Sequence, residues 1–284
     1  MSSLRPLMLP ITLALLGVTT FGDAAYAQDD RDAREERRVL KANDVDEAAG
    51  LSEEYRRLAR QKRQEEMEFA RQLLSGDTIQ GESRAELMLR LADLYFEEGR
   101  DIYLTEMAAY QTEVDRCYND KACDPTALKA NNTESRKWQD KSIKLYKQIL
   151  SSYSTFARAD EATFYLASAL KDTGQPKEAL DQFTHLVKTY PDSQYVPDAY
   201  VQIGEHYFDE NNAYKALLAY QKATAYRDSK MYGFALYKLA WCYYNVGEYR
   251  KAIDTMKSVV KYSTAAQQAG GTPKSNLQLQ EEAF

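Results

Sequence analysis

One arrangement of residues recurs down the middle of the chain and restricts its fold more than any other feature. Leu166, Ala167 and Leu170, then Gly174, then Ala179, Phe183 and Leu186, and finally Pro191 form one copy. A shift of 37 places Ile203, Gly204, Tyr207, Ala216, Tyr220 and Ala223 in the same slots, and a further 36 places Leu239, Ala240, Tyr243, Gly247, Ala252, Met256 and Val259 there. Apolar residues return at helical spacing on both sides of a turn, so each copy predicts two antiparallel helices. Neither helix of such a pair buries its apolar face alone, and neighbouring copies must therefore stack.

Each slot has a physical reason. The small residue, Ala167, Gly204 or Ala240, lets two helices approach closely, and the large residues beside it fill the groove that the approach creates. In the second helix Ala179, Ala216 and Ala252 serve the same closeness, while Phe183, Tyr220 and Met256 reach toward the next copy. Pro191 falls where a helix no longer needs a backbone donor, and Pro197 suits the first turn of the helix that follows.

A large-x-x-large-small-x-x-aromatic helix, a turn and a second helix with Ala-x-x-x-aromatic resembles the tetratricopeptide repeat (TPR), whose unit is about 34 residues. The resemblance implies an all-α fold, a TPR-like α-solenoid of stacked antiparallel helix pairs. Lys188-Thr189-Tyr190-Pro191-Asp192-Ser193-Gln194-Tyr195, followed by Asp198-Ala199-Tyr200 and Ile203-Gly204, is similar to the TPR variant of Gram-negative cell-envelope proteins, among them the barrel-assembly lipoprotein and the Tol-Pal coordinator. Tyr95-Phe96-Glu97-Glu98-Gly99-Arg100 and Leu279-Gln280-Glu281-Glu282-Ala283 bear a weaker likeness to the TPR protein of the adventurous gliding motility machinery.

Residues 1–27 read as a cleavable export signal, with Arg5 at its positive end, Leu7 to Val18 as its apolar core and Ala25-Tyr26-Ala27 as a small-x-small site. The apolar run is shorter than the roughly 20 residues of a membrane span, so the expectation is a periplasmic protein, without a stable span after cleavage, in the soluble phase or associated with the outer membrane. Residues 28–45 are dense in mixed charge and cannot bury enough apolar surface to order themselves. Residues 46–82 predict an amphipathic helix with Leu51, Tyr55, Leu58, Phe69 and Leu73 on one face, interrupted by Lys62 and Glu65. It reads as a cap on the first repeat, with self-association through a coiled segment as the other reading.

The repeats are expected at 83–159, 160–196, 197–232 and 233–264. The first is split: Met88, Leu91, Ala92, Tyr95 and Gly99 fit its first helix, and Ser142, Tyr146, Ile149 and Leu150 its second, with an insertion at 100–137 between them. Tyr103, Met107, Tyr110, Val114 and Cys117 continue the helical spacing past Gly99, which predicts a helical hairpin returning through Trp138; it projects, or it packs on the solenoid. Cys117 and Cys123 sit at its tip, and in an exported chain such a pair predicts a disulfide. Residues 265–284 read as a linker and the start of a further helix, with more repeats or another domain expected beyond Phe284.

Chemistry has few parts to work with. His185 and His206 are the only histidines, on different helices, and no glycine-rich phosphate loop occurs, so no catalytic residue, metal site or cofactor is assigned. A net charge of -6 with scattered Lys and Arg gives no basic stripe for nucleic acid. The resemblance implies a binding groove on the first helices, carried here by Phe164, Val201, Phe208, Phe234, Tyr237, Trp241, Tyr244 and Asn245, and 22 tyrosines suit such a surface. The expected function is a periplasmic scaffold that binds another envelope protein or a peptide segment of one, within a gliding-motility or Tol-Pal-like complex. The alternative is the targeting arm of a cell-wall-active enzyme.

Overall fold

The computed structural model describes residues 54–120 and 123–268, with side chains to 265. The expected signal, the charged segment, Leu51 and residues 269–284 lie outside the described residues; the expected linker begins later than 265, because the last helix runs on to Gln268. Contacts divide the chain into two compact units, Met1–Arg60 and Gln61–Phe284. Of the first, only the helical residues 54–60 are described.

Among the described residues the chain forms α-helices and one 3-10 turn, with no strand. We label the helices α1 (54–75), α2 (Gly81–Tyr118), α3 (Thr133–Ser152), α4 (Ala159–Asp172), α5 (Pro176–Thr189), α6 (Val196–Asp209), α7 (Ala213–Ala223), α8 (Tyr232–Asn245) and α9 (Tyr249–Gln268). They pair as α2 with α3, α4 with α5, α6 with α7 and α8 with α9, and each pair leans on the next through α3 on α4, α5 on α6 and α7 on α8. The second unit is therefore a TPR-like α-solenoid.

The three inner turns share one geometry. Gly174 and Gly247 have φ of 77° and 81°, and Asn211, which occupies the same slot in the middle repeat, has φ 57°. In each turn the next residue's N–H closes the helix end: Gln175 donates to the Leu170 carbonyl, Asn212 to Tyr207 and Glu248 to Tyr243, at 2.8 to 2.9 Å. Asn is the side chain that best tolerates this left-handed conformation after glycine. The period persists there without a glycine for that reason. Pro176 and Pro197 stand in the first turns of α5 and α6, where a missing N–H costs nothing.

The small slots face the interior. Ala167 is fully buried, Ala240 is 1% exposed, and Gly204 is buried as well. Opposite them Phe183, Leu186 and Tyr220 are 2% exposed or less, each contributing about 1.5–3 kcal/mol by leaving water. A Cβ on Gly204 would lie 2.6 Å from the ring of Tyr220, so α6 and α7 approach as closely as glycine allows.

α2 runs uninterrupted through Gly99, whose missing Cβ would meet Gln139 of α3 at 3.0 Å. It is 38 residues long, about 57 Å. The insertion's outgoing limb is thus helical throughout, whereas its returning limb becomes helical only at Thr133. Asp124-Pro125 and Asn131-Asn132 interrupt it, leaving a 3-10 turn at Pro125–Ala127. Glu106 of α2 caps α3 from outside, its Oε1 accepting the N–H groups of Glu134 and Ser135. Cys117 and Cys123 are joined by a disulfide with Cα atoms 5.2 Å apart.

α1 buries a different face from the expected one. Met67 and Ala70 pack on Leu91, Leu94 and Tyr95 of α2 and are 2% exposed or less, whereas Tyr55, Leu58 and Phe69 are exposed. Met67, Ala70 and Leu74, three and four residues apart, form an apolar stripe of their own, and Arg63 continues the same side of the helix: its guanidinium reaches Glu98 and Asp101, each at 2.7 Å, and Glu98 is 2% exposed.

Candidate functional site

One constellation of slots on the first helices occurs in two of the four pairs, the first and the third. In the third repeat, Tyr220 of α7 donates its phenol to Glu205 of α6, and Lys238 of α8 salt-bridges the same carboxylate at 2.9 Å. The Lys238 ammonium also lies 4.3 Å from the Phe208 ring centroid and 5.7 Å from that of Phe234. Burial first, and Glu205 next, raise the Tyr220 phenol well above its ordinary value, so it remains a donor.

The same slots in the first repeat hold Tyr146, Asp93, Phe96 and Tyr165. Tyr146 is fully buried and donates to Asp93 at 2.8 Å. Tyr165 stands where Lys238 stands two repeats later, its ring 5.8 Å from Phe96 and stacked on Tyr146 at 6.4 Å. Asp93 therefore has a phenol but no lysine, and burial pushes its carboxyl up to about 6.

Two cavities meet at Tyr165. The first, about 540 Å³, lies over Asp93, Phe96 and Tyr165 between walls of Arg63, Arg90, Arg100 and Arg158 and the carboxylates of Glu97, Asp101 and Glu161. Three of its arginines are held by carboxylates: Arg63 by Glu98 and Asp101 at 2.7 Å, Arg90 by Glu66 through two bonds of 2.6 and 2.8 Å, and Arg158 by Glu86 at 2.7 Å and Glu161 at 2.8 Å. The second, about 800 Å³, is floored by Phe164, Tyr165 and Tyr195 and rimmed by Asp198, Tyr226, Arg227 and Lys230. Its rings interlock, with Phe164 stacked on Tyr195 at 4.8 Å and Tyr165 edge-on to Tyr195 at 5.9 Å. Burial raises the Asp198 carboxyl above its ordinary range.

The residues expected in a groove are distributed unevenly. Phe164 lines the second cavity, while Phe208 and Phe234 flank Lys238. Tyr237, Trp241 and Tyr244 follow one another along α8 with ring centroids 6.3 and 5.8 Å apart, and Tyr249 of α9 extends the series at 5.5 Å. Trp241 is 37% and Tyr244 54% exposed, and Asn245 is exposed at the end of α8. Val201 is a correction. It is fully buried with Tyr220, Ala235 and Leu239, because its side of α6 is the one pressed against the next pair. Tyr165, Tyr195 and Asp93 were not among the expected site residues; the signal for Asp93 was the acid that recurs at Glu205 beneath a matched tyrosine.

Cys242 is buried and its thiol is pushed up to about 12 by burial, which makes it a packed side chain rather than a nucleophile. Among the described residues no group of His, Cys, Asp and Glu could hold a metal ion, and no helix is long and apolar enough to cross a membrane.

Residues 161–193 and 234–263 match the tetratricopeptide repeat. Similar solved structures include BtubC from P. vanneervenii (19% identity, 73% of this chain and 91% of that one, TM-score 0.44). A kinesin light chain protein of Podosopora anserina with nearly identical TPR-like repeats is 16% identical over 75% of this chain and 92% of that one, with TM-score 0.46. MamA residues 41 to the end, from Desulfovibrio magneticus RS-1, are 15% identical over 63% and 93%, with TM-score 0.37. No curated protein matches the sequence at a significant level.

Proposed function

We propose that this chain, which carries tetratricopeptide repeats, is a noncatalytic scaffold that holds an extended segment of a partner protein along its first-helix face. The observation that carries the reading is the pair of cavities meeting at Tyr165, with a preformed aromatic floor of Phe164, Tyr165 and Tyr195. Rigid rings already locked against one another lose little conformational entropy on binding and supply large apolar contact area. Together the cavities offer room for an extended chain rather than a compact ligand.

The compartment we assign is the periplasm, and the partner is another envelope protein in a complex of the gliding-motility or Tol-Pal kind. Support comes from the leader-like composition of 1–27 and from a disulfide of the sort that persists in oxidising surroundings.

A photo-crosslinking amino acid at Tyr226, on the rim of the second cavity, compared with one at Leu218, which is 62% exposed on α7, tests the groove in cells. A covalent adduct of defined mass from position 226 and none from 218 supports the reading. Adducts from 218 alone, or equally from both, contradict it.

A further inference from the structure

We infer that the cleft over Asp93 receives a lysine or arginine side chain of the bound segment, so that the partner supplies the cation that Lys238 supplies internally two repeats later. This rests on the groove reading above and specifies the chemistry of its occupant.

Three observations converge. In the third repeat, phenol, carboxylate and aromatic ring enclose an ammonium group: Tyr220, Glu205 and Phe208 around Lys238. In the first repeat the matching phenol, carboxylate and ring are all present, but the lysine slot is filled by Tyr165 and a cavity of about 540 Å³ opens at that place. The walls single out Asp93: of their four carboxylates Glu97 and Asp101 pair with Arg63 and Glu161 with Arg158, whereas Asp93 has no ion pair among the described residues. Arg90 and Arg158 face Asp93 but are held by Glu66 and by Glu86 and Glu161, while Arg100 lies over the Phe96 ring at 5.7 Å. A cation entering between Phe96, Tyr165 and Asp93 gains the attraction of ring faces and of a carboxylate shielded from water. An acidic side chain would meet the unpaired Asp93 carboxylate there, and the cleft discriminates against it.

The test uses the full chain on immobilised short peptides, degenerate except for one fixed central residue: Arg, Lys, Ala, Glu or Asp. Retention about tenfold stronger with Arg or Lys than with Glu or Asp is expected. Asp93→Asn, which keeps an oxygen for the Tyr146 hydroxyl, should lose that preference with an unchanged helical circular dichroism spectrum. Glu178→Gln, on the surface of α5, should keep it. Retention without charge preference, or with acidic preference, overturns this inference and leaves the groove standing. A preference that survives in Asp93→Asn also overturns it, and no retention of any peptide overturns the groove reading as well.

Discussion

Tyr146 of α3 donates to Asp93 of α2 at 2.8 Å, and the same link recurs in the third repeat between Tyr220 and Glu205. The two differ in what else the acid touches, since Glu205 has Lys238 at 2.9 Å and Asp93 has no cation so close. Tyr146→Phe should therefore destabilise the protein more than Tyr220→Phe, by about 1–3 kcal/mol for the former against about 1 kcal/mol for the latter. Urea unfolding of both variants measures the difference, and equal losses would show that Lys238 does not sustain Glu205.

The pH dependence follows from Asp93. Its carboxyl titrates at about 6 in the folded chain against 3.8 as an ordinary carboxyl, so between those values the folded state binds more protons than the unfolded one. Stability from this group is present below about pH 4 and is lost as the pH rises to about 6. Asp172 and Asp198 shift in the same direction, also through burial. Comparison of wild type with Asp93→Asn isolates the group: the stability of the variant relative to wild type should rise between about pH 4 and 6 and stay level above.

Arg63 is the anchor of α1. It is paired with Glu98, which is almost wholly buried. Arg63→Met removes the cation and leaves that carboxylate without its partner, an effect of about 3–5 kcal/mol. Hydrogen exchange should show α1 opening well before the repeats. Arg63→Met with Glu98→Leu should recover much of the loss, because an apolar pair does not carry the desolvation penalty.

Much of this architecture could be read directly from residues. The spacing of Ala167, Gly204 and Ala240 located the helix pairs because close packing leaves no other residue size at those slots. The continuation of α2 past Gly99 was legible from Tyr103, Met107, Tyr110 and Val114. The inward face of α1 was not, because Met67, Ala70 and Leu74 form only a narrow apolar stripe, and the larger Tyr55, Leu58 and Phe69, which stay exposed, give the stronger hydrophobic signal. The lining of the cavities was half legible. Phe164 lies at a first-helix slot, but Tyr165, one residue on, points into the same region only because α4 sits between α2 and α6, and no local period records that. Val201 misled because an apolar residue in a groove slot and one in a seam look alike until the next pair is placed.

The closeness of paired helices is sharpest at Gly204. Gly204→Ala adds one methyl group, which in an open helix stabilises by about 1 kcal/mol. Here the new Cβ would sit 2.6 Å from the ring of Tyr220, which is fully buried and tied to Glu205. Equilibrium unfolding of Gly204→Ala against wild type should show a loss of about 1–3 kcal/mol. Recovery is expected when Tyr220→Leu is added, since the ring is what obstructs. A Gly204→Ala protein as stable as wild type, or more so, would contradict the packing on which both the repeats and the groove are built.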